Sequence, residues 1–229
     1  MTDKLDSMAP KIVYDVDDVL WSLFQADLNY IGYSRDRDID YHYADDPRLS
    51  DAEKSAITEA FHLSEVFTKM DFYPETQEIL RPEFLGAEVY INSNCFSEEI
   101  IEHKRRQLAE ILPNLPPERI ALNLVTIQTN RKTIPAEVFA FVDDSPYNIA
   151  KSSAKLNIVP EISWTYAQKT RDIMCQDKTL LNDWPRQLPV ASRDFSEASY
   201  VVIARDLAEV NQIVYQAVKF KQEAQNATK

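Results

Sequence analysis

The sequence predicts a three-layer α/β protein on a parallel sheet, with a mostly helical segment inserted after the first strand. Three observations predict it. From Ala87 onward, short runs rich in Val, Ile and Phe alternate with segments of helical period. One such run, "EVFAFVDD" at 137–144, has five consecutive apolar residues, as suits a strand covered on both faces. Residues 21–85 break the alternation: polar, turn-rich "RDRDIDYHYADDPR" is followed by helical pattern alone.

Taken in order, residues 11–16 read as a buried first strand. "LSDAEKSAITEAFHLSEVFTKM" reads as a helix: Ser50 and Glu53 have capping-box spacing, and Ile57, Ala60, Phe61, Leu63, Val66, Phe67 and Met70 form an apolar stripe. Pro74 opens a short helix through Leu80. "AEVYINS" (87–93) is the second strand, and "SEEIIEHKRRQLAEIL" (97–112) is a helix with Ser97 as cap and Glu98 and Glu99 in its first turn. "RIALNLV" (119–125) is the third strand and 137–144 the fourth, after which Ser145-Pro146 starts another helix. "LNIVP" and "YVVIA" read as further strands, and Leu207 to about Lys221 as an amphipathic helix. The division is therefore a core of 1–20 and 86–229 interrupted by a helical insertion at 21–85.

Composition narrows the function. The 229 residues carry a net charge of −12, which repels nucleic-acid backbone at long range, so no nucleic-acid polymer is expected as partner. Only Gly32 and Gly86 are present, which excludes a P-loop and a Gly-rich dinucleotide fingerprint. Two cysteines, Cys95 and Cys175, make no disulfide framework, although one bridge between them stays open. No membrane-length apolar run and no apolar signal core at the N-terminus are visible, so a soluble, cytoplasmic protein with no membrane partner is expected.

In open parallel sheets, sites lie beyond the carboxyl ends of the strands. Those ends carry Asp15 and Asp17 after the first strand, Ser93 and Asn94 after the second, and Asp143 and Asp144 after the fourth. Lys132, in "TNRKTIP", leads into the fourth strand, with Arg131 as its rival. An all-carboxylate cluster without histidine suits a hard, oxygen-loving cation, and Mg²⁺ leads the candidates. A magnesium ion with a lysine and a hydroxyl beside it makes a receptacle for a phosphoryl group.

Each member also has a plainer reading. An Asp-x-Asp pair can be a solvated turn, Ser93-Asn94 and Asp143–Pro146 can cap helices, and "HKRR" (103–106) reads as decoration on the far half of a helix. Cys95 reads as packing, and His42, His62 and His103 as surface or helix-face residues.

The ordered set "DVDDV", "INSN", a lysine and "VDDSPYN" resembles the haloacid dehalogenase superfamily of aspartyl-phosphate phosphatases over about residues 11–160. The resemblance implies a Rossmann-like core with a cap between the first two motifs. It implies Asp15 as nucleophile and Asp17 as general acid and then base. Ser93, with Asn94, and Lys132 would bind the phosphoryl group. The metal would be held by Asp15, the Asp17 main-chain carbonyl and the fourth motif, with Asp144 as direct ligand and Asp143 behind it or in its place. Asp17 would need a pKa raised by neighbouring acids. Asp18 stands where glycine is common, and Asn148 where the family has a trailing acid. The motif order, the Asp-Asp pair and "FYPETQEIL" further resemble the 5′(3′)-deoxyribonucleotidase group. That implies a nucleoside monophosphate as the small phosphorylated substrate, with Trp21, Phe24, Phe61 or Phe67 stacking on a base, against the plainer reading that these rings form the insertion's own core. A catalytically silent binding or regulatory module of the same fold is the alternative.

Overall fold

The computed structural model describes residues 9–30, 32, 43, 46–60, 62–67, 70, 72–125, 132, 137–161, 168–189, 192–196 and 198–227. Seven strands form one sheet: β1 (Lys11–Tyr14), β2 (Glu88–Cys95), β3 (Ile120–Leu124), β4 (Val138–Val142), β5 (Leu156–Pro160), β6 (Thr179–Leu181) and β7 (Tyr200–Ala204). Their order is β3-β2-β1-β4-β5-β7-β6, and every pairing is parallel. β6 had no clear sequence signal, since it is three residues long at an edge.

The central strands are apolar on both sides because both faces are covered. Val13, Phe141, Val159 and Val201 pack with Ile149 of α5 (Pro146–Lys151) and Met174 of α6 (Gln168–Met174). Ile12, Ile91, Val142 and Val202 belong to the opposite cluster, with Ile100 and Leu108 of α4 (Glu98–Ile111) and Val210 and Val214 of α7 (Leu207–Ala227). This is the expected three-layer arrangement. Each fully buried Val, Ile or Phe in it contributes about 1.5–3 kcal/mol relative to exposure. The edge strand β3 is only half-buried.

The caps behave as the spacing predicts. Ser50 Oγ accepts from Glu53 N at 3.3 Å while Glu53 accepts from Ser50 N at 2.7 Å, and Ser97 Oγ accepts from Ile100 N at 3.2 Å. Two helical expectations are corrected. The single helix expected near 50–70 is split into α2 (Asp51–Ala60) and α3 (Ser64–Phe67). His62 N and Leu63 N bond back only three residues, to Glu59 and Ala60, which tightens the chain and ends the helix. The segment after Pro74 is a 3₁₀ helix through Leu85, longer than expected. Pro82 inside it donates no N–H, and Gly86 closes it at φ 78°, a left-handed value suited to glycine.

The segment between β1 and β2 leaves and returns at one place. Trp21 and Phe72 form an antiparallel bridge, and Leu20 O accepts from Tyr73 N at 2.9 Å. The first insertion helix, α1, spans Leu23–Tyr30. The 3₁₀ segment lies against α7, where Asn211 Nδ2 donates to Glu75 O at 2.9 Å.

Candidate active site

β1 lies between β2, which continues to one side, and β4, which starts the other. That is the topological switch point, where carboxyl strand ends diverge and leave a crevice. Both aspartates of the first motif stand just past the end of β1, which stops at Tyr14 and not at residue 16 as the apolar run suggested. Asp15 N still bonds Val142 O at 2.8 Å, so the chain stays pinned to β4. The backbone then turns: Leu20 N bonds Val16 O at 2.8 Å, and Asp18 sits at φ 56°. A left-handed residue there explains why glycine suits the position, and aspartate is among the few side chains that tolerate it.

Asp15 is 4% exposed. Its Oδ1 accepts from Val16 N at 2.7 Å, and its Oδ2 is ion-paired with Lys132. Lys132 also donates to Asp143 Oδ2 at 2.7 Å. Asp143 is saturated: its Oδ1 accepts from Ser145 N at 2.9 Å and from Asn148 Nδ2 at 3.0 Å. Asn148, in the place of the trailing acid, therefore braces Asp143.

Carboxylate oxygens of Asp15, Asp143 and Asp144 all lie within 4.8 Å of one another. Burial pushes the Asp15 carboxyl up to about 7; Lys132 opposes this, while Asp143 and Asp17 add to it. Burial, then Asp143, Asp18 and Asp15, push Asp144 well above the usual carboxylate range, with Lys132 opposing. Three carboxylates share one ammonium here, and all the donors are hard oxygens. The set fits a Mg²⁺ ion.

Asp17 faces the other way. Its Oδ2 accepts from Lys104 Nζ at 2.5 Å and its Oδ1 from Trp21 Nε1 at 2.7 Å. Ser93, fully buried at the end of β2, donates from Oγ to Asp17 Oδ2 at 3.4 Å and accepts from Lys104 Nζ at 3.0 Å. Asn94 contributes its main-chain carbonyl, 3.4 Å from Lys104 Nζ.

Lys104 corrects the reading of "HKRR" as surface decoration: it is 1% exposed. A signal was present, because Lys104 stands in the stripe made by Ile100, Ile101 and Leu108 on the buried face of α4. A lysine in such a stripe needs a buried partner. The stacking reading is also corrected for two rings. Trp21 and Phe67 are 0% and 1% exposed and pack as core, Trp21 with Phe72 at a 4.7 Å centroid distance. Phe61, the Phe24 side chain, Arg131 and His42 lie outside the described residues. Cys95 is buried, and both cysteines are free thiols, so the bridge left open by sequence is not formed. A cleft of about 310 Å³ opens beside Asp18, between Tyr73 and Glu75 on one side and Glu161 and Arg205 on the other. Among the described residues, no helix is long and apolar enough to cross a membrane.

No family model matches the sequence, and no curated protein does. Solved structures do resemble the chain. A haloacid dehalogenase-like family hydrolase from Streptococcus pneumoniae is 11% identical, with a TM-score of 0.45 over 85% of this chain and 93% of that one. A protein from Bacteroides vulgatus, described as a candidate beta-phosphoglucomutase, is 10% identical, with a TM-score of 0.48 over 93% and 89%. A candidate haloacid dehalogenase-like hydrolase from Burkholderia xenovorans is 11% identical, with a TM-score of 0.45 over 92% and 99%.

Proposed function

We propose that this chain is a Mg²⁺-dependent phosphomonoesterase of the haloacid dehalogenase type, acting through an aspartyl-phosphate on a small phosphorylated metabolite. The observation that carries the reading is the charge imbalance at the ends of β1 and β4: Asp15, Asp143 and Asp144 converge within 4.8 Å around Lys132. Such a pocket needs a further cation, and with that cation it attracts a phosphoryl dianion.

The residue roles follow. An Asp15 carboxylate oxygen attacks phosphorus, and the bond from phosphorus to the ester oxygen breaks as Asp17 delivers its proton to that oxygen. Water then attacks the acyl phosphate, Asp17 takes the water's proton, and inorganic phosphate leaves with Asp15 restored. Lys132 offsets charge on Asp15 and on the phosphoryl oxygens. The Ser93 hydroxyl and Asn94 would hold the phosphoryl group from the β2 side. Asp15, the Asp17 main-chain carbonyl and Asp144 would hold the ion, with Asp143 orienting Lys132. Bound there, Mg²⁺ supplies charge compensation for the phosphoryl oxygens. A carbon–halogen substrate would leave the acid at Asp17 without a task, which favours phosphoryl transfer.

The insertion acts as a cap over this edge and selects the leaving group. A nucleoside monophosphate is the first substrate to test, on the strength of the motif order alone, since the buried Trp21 and Phe67 offer no stacking surface. The free thiols are in keeping with a reducing, cytoplasmic setting. The test is phosphate release from a panel of nucleotides, sugar phosphates and an aryl phosphate, with and without Mg²⁺. Metal-dependent release is expected. None across the whole panel would leave a silent binding module as the better description.

A further inference from the structure

We propose that Lys104 is a positioning residue that sets the Asp17 carboxylate for proton transfer, an inference resting on the phosphatase reading above. Its ammonium is 1% exposed and has three N–H donors. Three acceptors surround it: Asp17 Oδ2 at 2.5 Å, Ser93 Oγ at 3.0 Å and Asn94 O at 3.4 Å. The Trp21 and Phe67 rings flank it, with centroids 5.6 and 5.3 Å from Nζ. A lysine so enclosed has no N–H left for a substrate phosphate, so it acts through its neighbours. Trp21 Nε1 holds the other Asp17 oxygen, and the carboxylate is therefore clamped at both ends. Burying a charge without a partner is costly, so the pair forms as a unit and leaves Asp17 little freedom to rotate.

The clamp also joins three parts of the chain. Asp17 follows β1, Ser93 and Asn94 end β2, and Trp21 and Phe67 belong to the insertion. Displacement of the insertion would remove the Phe67 ring and the Phe72 bridge that seats Trp21, while Trp21 N stays bonded to Val16 O at 3.3 Å. The geometry of Asp17 is thereby tied to the seating of the cap.

The test uses the full-length Lys104→Met variant, which keeps the length of the side chain and removes its charge. Turnover of an alkyl phosphate, whose leaving oxygen needs a proton, should fall by about 10²-fold. Turnover of an aryl phosphate with an acidic phenol should fall several times less, because that leaving group departs unprotonated. KM should stay within roughly threefold, since uniform binding is untouched. Combined with Asp17→Asn, the lysine change should add almost nothing. Binding of beryllofluoride with Mg²⁺, an acyl-phosphate mimic followed by calorimetry, should be unchanged. Equal losses for both leaving groups, or loss of beryllofluoride binding, would overturn the proposal and make Lys104 structural or a phosphoryl ligand. If Lys104→Met does not fold, Trp21→Phe removes the other donor and keeps a ring, and must show the same leaving-group signature in weaker form. A wild-type chain that neither turns over the panel nor binds beryllofluoride overturns the phosphatase reading itself, and this inference with it.

Discussion

Asp15 and Asp17 are two residues apart and sit in opposite electrostatic settings. On the Asp15 side, three carboxylates share the ammonium of Lys132, and burial and crowding raise the carboxyls of both Asp15 and Asp144. On the Asp17 side, one carboxylate meets one ammonium, and an indole N–H takes the remaining oxygen. The first setting is unbalanced and calls for a cation. The second is balanced and closed. Two identical side chains thus sit in different surrounds, each with a lysine of its own, as the proposed division into nucleophile and proton carrier requires.

The comparison breaks most sharply at the two aspartates. Asp15→Asn should abolish turnover, by about 10⁴-fold or more, since no covalent intermediate can form. Asp17→Asn should cost about 10²–10⁴-fold in turnover yet leave Mg²⁺ affinity nearly intact, because its carboxylate faces Lys104. Phosphate release and a calorimetric Mg²⁺ titration check both, and lost metal affinity in Asp17→Asn would sink the division of roles.

A smaller effect sharpens the unbalanced side alone. Asp144→Asn should weaken Mg²⁺ by at least about tenfold, while the same titration should find Asp143→Asn less affected, since Lys132, Ser145 and Asn148 already occupy Asp143.

The next effect is in pH. A folded-state carboxyl raised to about 7 keeps its proton in the native state, so its contribution to stability is present at low pH and lost as pH rises through 7. The metal-free protein should therefore lose thermal stability progressively from about pH 4 to pH 7 and level off above that, and millimolar Mg²⁺ should restore it at pH 8. Protons compete with the ion, so Mg²⁺ affinity should fall roughly tenfold from pH 7 to pH 6.

The smallest concerns the turn between the two settings. Asp18→Gly removes a left-handed strain of about 1 kcal/mol, partly offset by the entropy of glycine, and should raise the melting temperature by at most about 4 °C. It also removes one of the acids that raise Asp144.

Much of this was legible in the chain. Five consecutive apolar residues at Val138–Val142 announced a strand buried on both faces, and the caps at Ser50, Ser97 and Ser145 form as their spacing requires. These are local matters: periodicity and capping are decided within a few residues. The helix break between Ala60 and Ser64 and the 3₁₀ run from Pro74 to Leu85 were less legible, because apolar spacing looks alike in a bent and a straight helix. Lys104 is hidden inside a run of basic residues, although its place between Ile101 and Leu108 on the buried face of α4 holds the clue.

The sequence by itself determined the candidate set: Asp15, Asp17, Ser93, Lys132, Asp143 and Asp144 are readable from strand ends and motif order. Only the tertiary structure decided how they divide. Asp17 and Lys104 are 87 residues apart in sequence, and Asp15 and Lys132 are 117 apart. Which ammonium meets which carboxylate depends on β1 lying between β2 and β4 in one parallel sheet, and sheet order is a long-range property that no local pattern encodes.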